Sequence, residues 1–205
     1  DFNTAANWTP ATVPTGTAFF DTSTVTALSF SADTTIGGWT FNAGASAYTF
    51  TNGQTLNFTG AGIVVNGGSA TITNNSILTF NNTSTAGSAA ITNNIASEVS
   101  FNDTSTAGSA TITITGGAVR FNDTSTAGSA TITNNNDLTF SNSSTAGSAT
   151  ITNNFFLGFF LTSTAGSAII TNNDLVQFEG VSTAGSATIT NNFGSALSFF
   201  NTSTA

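Results

Sequence analysis

The chain lacks most of the side chains that carry enzyme chemistry. Its 205 residues include no cysteine, histidine or methionine, and Arg120 is its only basic side chain. Such a chain offers no imidazole base, no thiolate, no Schiff-base amine and no zinc site of nitrogen and sulfur ligands. We therefore expect no cofactor and no enzymatic activity. The absence of cysteine also excludes disulfide bonds.

Charge is scarce as well. Charged residues make up 5% of the chain and its net charge is −8, whereas about 25% of the residues in an average soluble domain are charged. A chain with one cation has no basic surface for phosphates, so we expect neither nucleic-acid binding nor attraction to anionic lipid. No run of 18 apolar residues occurs, so we expect no membrane insertion of this chain as a helix.

The remaining composition is that of strands and tight turns. Hydrophobic residues make up 39% of the chain and include 19 phenylalanines, which is enough apolar material for a core. Most other residues are threonine, serine, asparagine and glycine, which hydrogen-bond without ionising and favour strands and turns. We therefore expect an ordered all-β protein.

A repeat of about twenty residues runs through most of the sequence. Its consensus contains the string STAGSATITNN, and its spacings from one glycine to the next are 19, 21, 20, 19, 19 and 19 residues. The glycines of this string are Gly68, Gly87, Gly108, Gly128, Gly147, Gly166 and Gly185. A fixed period of this length predicts a solenoid.

Each repeat unit contains two short segments in which apolar and polar residues alternate. Ala130-Thr131-Ile132-Thr133 is an example of the first and Leu138-Thr139-Phe140 of the second. Both predict strands with one buried face. Burying three apolar side chains per unit gains about 5 to 9 kcal/mol, which is less than the cost of ordering some twenty residues. A single unit therefore cannot fold alone, and units must stack.

These features predict a parallel β-helix of about nine to ten rungs, right-handed by the usual rule for crossovers. We expect residues 1–25 to form an N-terminal capping segment and residues 26–205 to form the solenoid, regular from about residue 46. We expect three inward columns of side chains: one of isoleucine, one of leucine or valine, and one of phenylalanine. The Asn-Asn pairs form ladders of stacked amides. Ile114-Thr115-Gly116-Gly117 interrupts the asparagine pairs, so we expect a local kink there.

The repeats and the N-terminal residues together resemble a known family. Asn7-Trp8-Thr9-Pro10, Val13-Pro14, Ala18-Phe19 and the STAGSATITNN units are similar to passenger domains of Gram-negative autotransporters that carry autotransporter-associated β-strand repeats. The resemblance implies a right-handed β-helix exported across the outer membrane. It also implies an extracellular or cell-surface location and a role as an adhesin, a surface layer or a fibre stalk.

A structural role is therefore our first hypothesis. The chain ends in mid-repeat at Ser203-Thr204-Ala205, and an open β-helix end is a template for another strand. Either this chain is a piece of a longer solenoid, or chains stack end to end into filaments. We expect self-association, end to end or laterally. A host or surface ligand is a further expected partner.

A binding role is the alternative. The threonines beside the inward isoleucines form a flat, uncharged Thr-x-Thr face that resembles the arrays of solenoid ice-binding proteins, and its ligand would be ice or a glycan. Ala90 and Ile169 interrupt this face. Its residues are Thr71, Thr73, Thr111, Thr113, Thr131, Thr133, Thr150, Thr152, Thr188 and Thr190.

Two other features are candidates for function. Asp103 and Asp123 share a column with Arg120 nearby, and paired carboxylates could bind Ca²⁺ or serve a polysaccharide-active enzyme; solvated corner residues are the favoured interpretation. The segment from Phe155 to Leu161 has apolar residues at both the inward and the outward positions of the alternating pattern. The pair Phe199-Phe200 shows the same feature over two residues. Phe155, Phe156, Phe160 and Phe200 therefore either line a distorted corner or form a contact patch for lateral packing.

Overall fold

The structure, a computed structural model, describes residues 1–205 and is an all-β solenoid of about nine turns. A short 3₁₀ helix, Ala5–Asn7, precedes the strands. In chain order the strands are β1 (Thr17–Phe20), β2 (Ala27–Ser29), β3 (Thr34–Phe41), β4 (Ala47–Asn52), β5 (Thr55–Val65), β6 (Ser69–Asn74), β7 (Ile77–Phe80), β8 (Ala90–Asn93), β9 (Glu98–Phe101), β10 (Thr111–Ile114), β11 (Ala118–Phe121), β12 (Thr131–Asn134), β13 (Asp137–Phe140), β14 (Thr150–Asn153), β15 (Phe156–Phe159), β16 (Ile169–Asn172), β17 (Leu175–Phe178), β18 (Thr188–Asn191) and β19 (Ala196–Phe199).

All strand pairing is parallel and joins each strand to the equivalent strand of the next turn. The ten odd-numbered strands form the first sheet and the nine even-numbered strands form the second sheet. Equivalent residues face each other: Ile112 pairs with Ile91 and Ile132, and Phe121 pairs with Phe101 and Phe140. The predicted parallel β-solenoid with two strands per repeat is thus confirmed.

A third ladder, which the sequence patterns did not predict, closes each turn. One residue per turn forms it, running from Gly62 through Thr85, Thr106, Thr126, Thr145, Thr164 and Thr183 to Thr204. The threonine hydroxyl oxygen accepts a hydrogen bond from the backbone N–H of the glycine two residues later. For example, the Gly128 N–H donates to Thr126 Oγ1 at 3.0 Å. This contact fixes the turn.

The core consists of side chains stacked in columns along the solenoid axis. The predicted isoleucine, leucine or valine, and phenylalanine columns are buried apart from their last members. Phe58, Phe80, Phe101, Phe121, Phe140, Phe159, Phe178 and Phe199 form one continuous stack, with ring centroids 4.6 to 5.0 Å apart and interplanar angles of 3 to 10°. Offset stacks of this kind contribute about 0.5 to 1.5 kcal/mol per pair beyond burial.

The first asparagine of each pair, apart from the exposed Asn191 in the last turn, lies in the interior and joins the turns to one another. Asn134 donates from Nδ2 to Asn153 Oδ1 at 2.7 Å and to the carbonyl oxygen of Phe156 at 2.7 Å. The second asparagine forms an exposed ladder, as between Asn154 and Asn135 at 2.8 Å. The predicted amide ladders are therefore present, and the inner one links the two sheets at their shared corner.

An aromatic cluster closes the N-terminal end. Phe2 is fully buried and packs against Trp8 with ring centroids 4.9 Å apart, and Trp8 Nε1 donates to the Phe2 carbonyl oxygen. Trp8 also packs edge-on against Phe20 at 5.7 Å. β1, which lies within residues 1–25, is already paired with β3 in the first sheet.

The expected kink near residue 114 does not appear in the strand register. Ile114 pairs with Asn93 and Asn134, and its side chain is buried; the register shift lies instead between Ile36 and Gly38. Gly116 and Gly117 have a steric role, because a Cβ on either residue would overlap the loop at residues 94–97 of the preceding turn. They compensate for the longer repeat unit, 21 residues, that contains this loop.

Candidate functional site

The outer face of the second sheet carries the predicted threonine array in two columns. The members of each pair are two residues apart on one strand, as Thr131 and Thr133 are on β12, with the buried Ile132 pointing inward between them. The strand register aligns these pairs from turn to turn. The geometry of the predicted Thr-x-Thr face is thus as expected.

One threonine column is longer and more regular than the sequence analysis recognised. It is unbroken over eight turns and consists of Thr51, Thr73, Thr92, Thr113, Thr133, Thr152, Thr171 and Thr190. Thr51, Thr92 and Thr171 were not among the predicted residues. Thr92 and Thr171 complete no Thr-x-Thr unit because Ala90 and Ile169 precede them, whereas Thr51 does form such a unit with Thr49 on β4. Aligning every residue that follows the inward isoleucine would have found Thr92 and Thr171.

The other column is interrupted where the sequence suggested. Ala90 replaces threonine on β8, and Ile169 replaces it on β16 with its side chain 56% exposed. Between these interruptions Thr111, Thr131 and Thr150 pair in register. The face is therefore a flat, uncharged hydroxyl surface, complete in one column and divided in the other.

Asp103 and Asp123 do share a column, and both carboxylates bond to the backbone of the preceding turn. Asp103 Oδ2 accepts the N–H of Asn82 at 2.7 Å, and Asp123 Oδ2 accepts the N–H of Asp103 at 3.1 Å. Both residues have φ of +56°, in the left-handed region that Asn and Asp tolerate best. Their geometry is that of a repeated turn whose carboxylates join successive turns.

Arg120 does not pair with either aspartate. Its Nε lies 3.3 Å from Glu98 Oε2, and both side chains are more than 40% exposed. The strand register explains this, because Ala118, two residues before Arg120, pairs with Glu98 and places the two side chains on one outer face. No group of three or more acidic, histidine or cysteine side chains in the structure is arranged to hold a metal ion.

Phe156 lies on the outer face of β15 and does not distort the first sheet; Phe155 and Phe160 lie directly before and after that strand, and Leu161 lies in the following turn. Phe156 pairs with Asp137 and Leu175 in the ordinary register, and Leu157 and Phe159 point into the core. Phe155 and Leu161 are 47% and 54% exposed, while Phe156 and Phe160 are half-buried. Of the two alternatives, the structure therefore shows an exposed apolar patch; we call Phe155, Phe156, Phe160 and Leu161 the apolar patch.

Phe200 is not contiguous with this patch. It is 49% exposed, but it lies two turns from Phe160, and Glu179 occupies the same position in the turn between them. Phe155, Phe156 and Phe160 are therefore grouped in the turn of β15, and Phe200 lies apart from them.

A column of buried serines lacks hydrogen-bond partners, as does the buried indole nitrogen of Trp39. The serine hydroxyl groups are fully buried and make no hydrogen bond. The repeat string contains this serine immediately before the threonine of the third ladder. The six residues are Ser84, Ser105, Ser125, Ser144, Ser163 and Ser182.

The two surface clefts lie beside the N-terminal cap. The larger has a volume of about 700 Å³ and is bordered by Trp8, Phe19, Asp21 and Tyr48; the smaller has about 390 Å³ and shares Trp8 and Phe19. Asp21 is held by Asn42, whose Nδ2 donates to Oδ1 at 2.9 Å, and by no cation.

Comparisons with protein-family models, with curated proteins and with solved structures return no match. No helix in the structure has both the length and the apolar character to cross a bilayer.

Proposed function

We propose that this chain is a structural element: a surface-exposed, extracellular β-helical segment of a stalk, fibre or adhesin. The observation that carries the proposal is the continuity of the solenoid. Equivalent residues pair from β1 to β19 in one sheet and from β2 to β18 in the other. A body built in this way provides length and stiffness, because every turn is bonded to its neighbours.

Four kinds of contact along the axis support this role. Backbone pairing in two sheets, the third ladder of threonines, the interior asparagine amides and the phenylalanine stack all join one turn to the next. Bending the solenoid would separate these contacts on one side. Such redundancy suits an element that bears load, and no side chain in it need be chemically reactive.

The proposed location rests on the resemblance to autotransporter passenger domains and on the composition. A chain without cysteine cannot form disulfide bonds during export to an oxidising exterior. Asparagine, serine and threonine also stack on their own copies without the repulsion that repeated charges would cause. We therefore propose export across the outer membrane of a Gram-negative bacterium.

End-to-end self-association is part of this proposal. The repeat itself supports it, since each turn pairs in register with turns of nearly the same sequence. A second copy of the chain offers the same pairing surface. Sedimentation velocity over a range of concentrations tests this: a rising sedimentation coefficient supports it, and one constant monomeric species contradicts it.

Protease treatment of intact producing cells tests the proposed location. Trypsin has one candidate bond in this chain, so a protease of broad specificity and an antibody against the folded chain are needed. We expect antibody labelling of intact cells, and loss of that labelling after treatment. Labelling that requires lysis, while a known surface protein on the same cells labels without it, would contradict the proposal.

The unbroken threonine column favours a second candidate function, binding through the second sheet. Hydroxyls at one-turn spacing on a flat face could order water at an ice surface or contact a glycan. Thr133→Lys would place a long cation in the middle of the array, and Thr139→Lys, on the other sheet, is the matched control. Inhibition of ice recrystallisation that Thr133→Lys abolishes and Thr139→Lys retains would support ice binding; its absence in the wild type would exclude it.

A further inference from the structure

The apolar patch replaces polar residues at the equivalent positions of the preceding turn. There, the positions of Phe155, Phe156, Phe160 and Leu161 are held by Asn136, Asp137, Ser141 and Asn142. Other turns of the first sheet carry serine, threonine and charged residues on their outer face, with Ile77 on β7 and Leu175 on β17 as apolar exceptions. The aromatic rings are therefore concentrated in one turn, and Leu175, which pairs with Phe156, extends the apolar surface into the next turn.

The local backbone is adapted to this change. Gly158 lies between Phe156 and Phe160, and a Cβ at Gly158 would lie 2.5 to 2.9 Å from their ring atoms. The two rings have centroids 6.3 Å apart and an angle of 33° between their planes. Because Gly158 has no side chain, both rings fold down over it and form a low apolar surface instead of projecting separately.

The patch lies on an internal turn of the solenoid, at the eighth of the ten strands of the first sheet. β13 and β17 pair with β15 on its two sides, and β11 and β19 continue the sheet beyond them. Its exposure therefore does not result from an open end. Adjacent turns cannot cover it because the whole sheet presents this face to solvent.

Three carboxylates surround the patch. Asp137 pairs in register with Phe156 on one side. On the other side, Asp174 occupies the position of Phe155 in the next turn and Glu179 occupies that of Phe160. These are three of the nine acidic residues of the chain. Arg120, two turns away on the same face, is engaged by Glu98.

We propose that the apolar patch docks a segment of another protein in which apolar side chains are flanked by lysine or arginine. The aromatic rings supply the apolar contact, and Asp137, Asp174 and Glu179 face the basic residues at its edge. A second copy of this chain fits poorly, because two patches face to face would oppose six carboxylates with no lysine to pair them. Anionic partners are disfavoured for the same reason.

Binding of designed probe peptides tests this proposal. We would measure, by fluorescence anisotropy at low ionic strength, the affinity of a short peptide of alternating leucine and lysine. Peptides that replace its lysine by serine or by glutamate serve for comparison. We expect the lysine peptide to bind at least about tenfold more tightly than the serine peptide, and the glutamate peptide not to bind.

Two sets of variants separate the patch from the general negative charge of the chain. Phe156→Ser combined with Phe160→Ser should weaken binding of the lysine peptide by about tenfold or more. The control Phe193→Ser, at an exposed phenylalanine elsewhere, should leave this binding unchanged. Replacing Asp137, Asp174 and Glu179 by their amides should weaken binding of the lysine peptide several-fold. The same change at Asp21, Asp33 and Asp123 should have little effect.

Several results would overturn the proposal. Equal binding of the lysine peptide to wild type and to the folded double serine variant would mean that only net charge attracts it. Equal binding of the lysine and serine peptides would assign the patch to neutral partners. A wild-type dimer that the double serine variant abolishes would assign it to a second copy. Circular dichroism confirms folding of each variant, and both substituted rings lie outside the core.

Discussion

Asn134 and Asn153 hydrogen-bond to each other inside the protein, with 2.7 Å between Nδ2 and Oδ1. Both side chains are fully buried. The same Nδ2 of Asn134 also donates to the carbonyl oxygen of Phe156 in the other sheet. One residue therefore joins two turns and two sheets, and its neighbours repeat the arrangement.

We predict that Asn153→Ala strongly destabilises the protein. The change leaves Asn172 Oδ1 and the carbonyl oxygen of Leu175 without the Asn153 donor, and Asn134 without its acceptor. Each unsatisfied buried group costs about 1 to 3 kcal/mol, so we expect the free energy of unfolding in urea to fall by at least about 2 kcal/mol. The control is Asn154→Ala in the exposed ladder, for which we expect less than about 1 kcal/mol. Similar losses for both variants would contradict the structural importance of the inner ladder.

Removing a buried serine hydroxyl should have the opposite effect on the free energy of unfolding. Ser125 Oγ is buried and has no hydrogen-bond partner, so Ser125→Ala removes an unsatisfied polar group. We expect the free energy of unfolding to stay the same or rise by up to about 1 kcal/mol. Its neighbour Thr126 is the control, because its hydroxyl oxygen accepts the Gly128 N–H, and Thr126→Ala should lower stability by about 1 kcal/mol. A clear loss for Ser125→Ala would show that its hydroxyl is bonded in solution.

Gly117 tests the packing between adjacent turns. A Cβ there would overlap the carbonyl oxygens of Ser97 and Asn94 in the preceding turn. We expect Gly117→Ala to lower the free energy of unfolding by about 2 kcal/mol, since relief requires the backbone to move. Gly53, whose Cβ position is open, supplies the comparison, and Gly53→Ala should change stability little. If Gly117→Ala is as stable as Gly53→Ala, the loop at residues 94–97 does not lie where the structure has it.

Trypsin should not cleave the folded chain. The only bond after a basic residue joins Arg120 to Phe121, and it lies within β11, which is paired on both sides. Phe121 is fully buried, so cleavage requires local unfolding. Gel electrophoresis after digestion should show the intact chain from native buffer and two fragments, residues 1–120 and 121–205, from the unfolded chain. Rapid cleavage in native buffer would contradict the continuity of the first sheet at β11.

The sequence predicted the columns because each rests on a repeated local pattern. Ile132 and Phe140 lie in alternating segments, and the same residues recur every 19 to 21 positions. The third ladder escaped prediction because only one residue per turn, such as Thr126, forms it. A single pairing residue between turns leaves no alternation in the sequence.

The location of the candidate site residues could be predicted better than the contacts that their side chains make. The sequence placed the threonine face on the surface, and for Phe155, Phe156 and Phe160 it left two alternatives, a distorted corner and a contact patch. It could not show that Arg120 contacts Glu98 and not the aspartates, because that choice depends on the register between turns. Nor could it show that Gly158 admits two rings above it, which depends on the direction of their side chains.

Excising one whole repeat tests whether the chain serves as a modular rod. Deleting residues 128–146 removes 19 residues and joins Ala127 to Gly147, which restores the repeat string. Deleting only residues 128–136 is the control, because it puts the strands out of register. For the whole-repeat deletion we expect cooperative unfolding, a maximum dimension in X-ray scattering shorter by about 4.8 Å, and undiminished antibody labelling of intact producing cells. A whole-repeat deletion that is as unfolded as the control would contradict a rod of interchangeable turns.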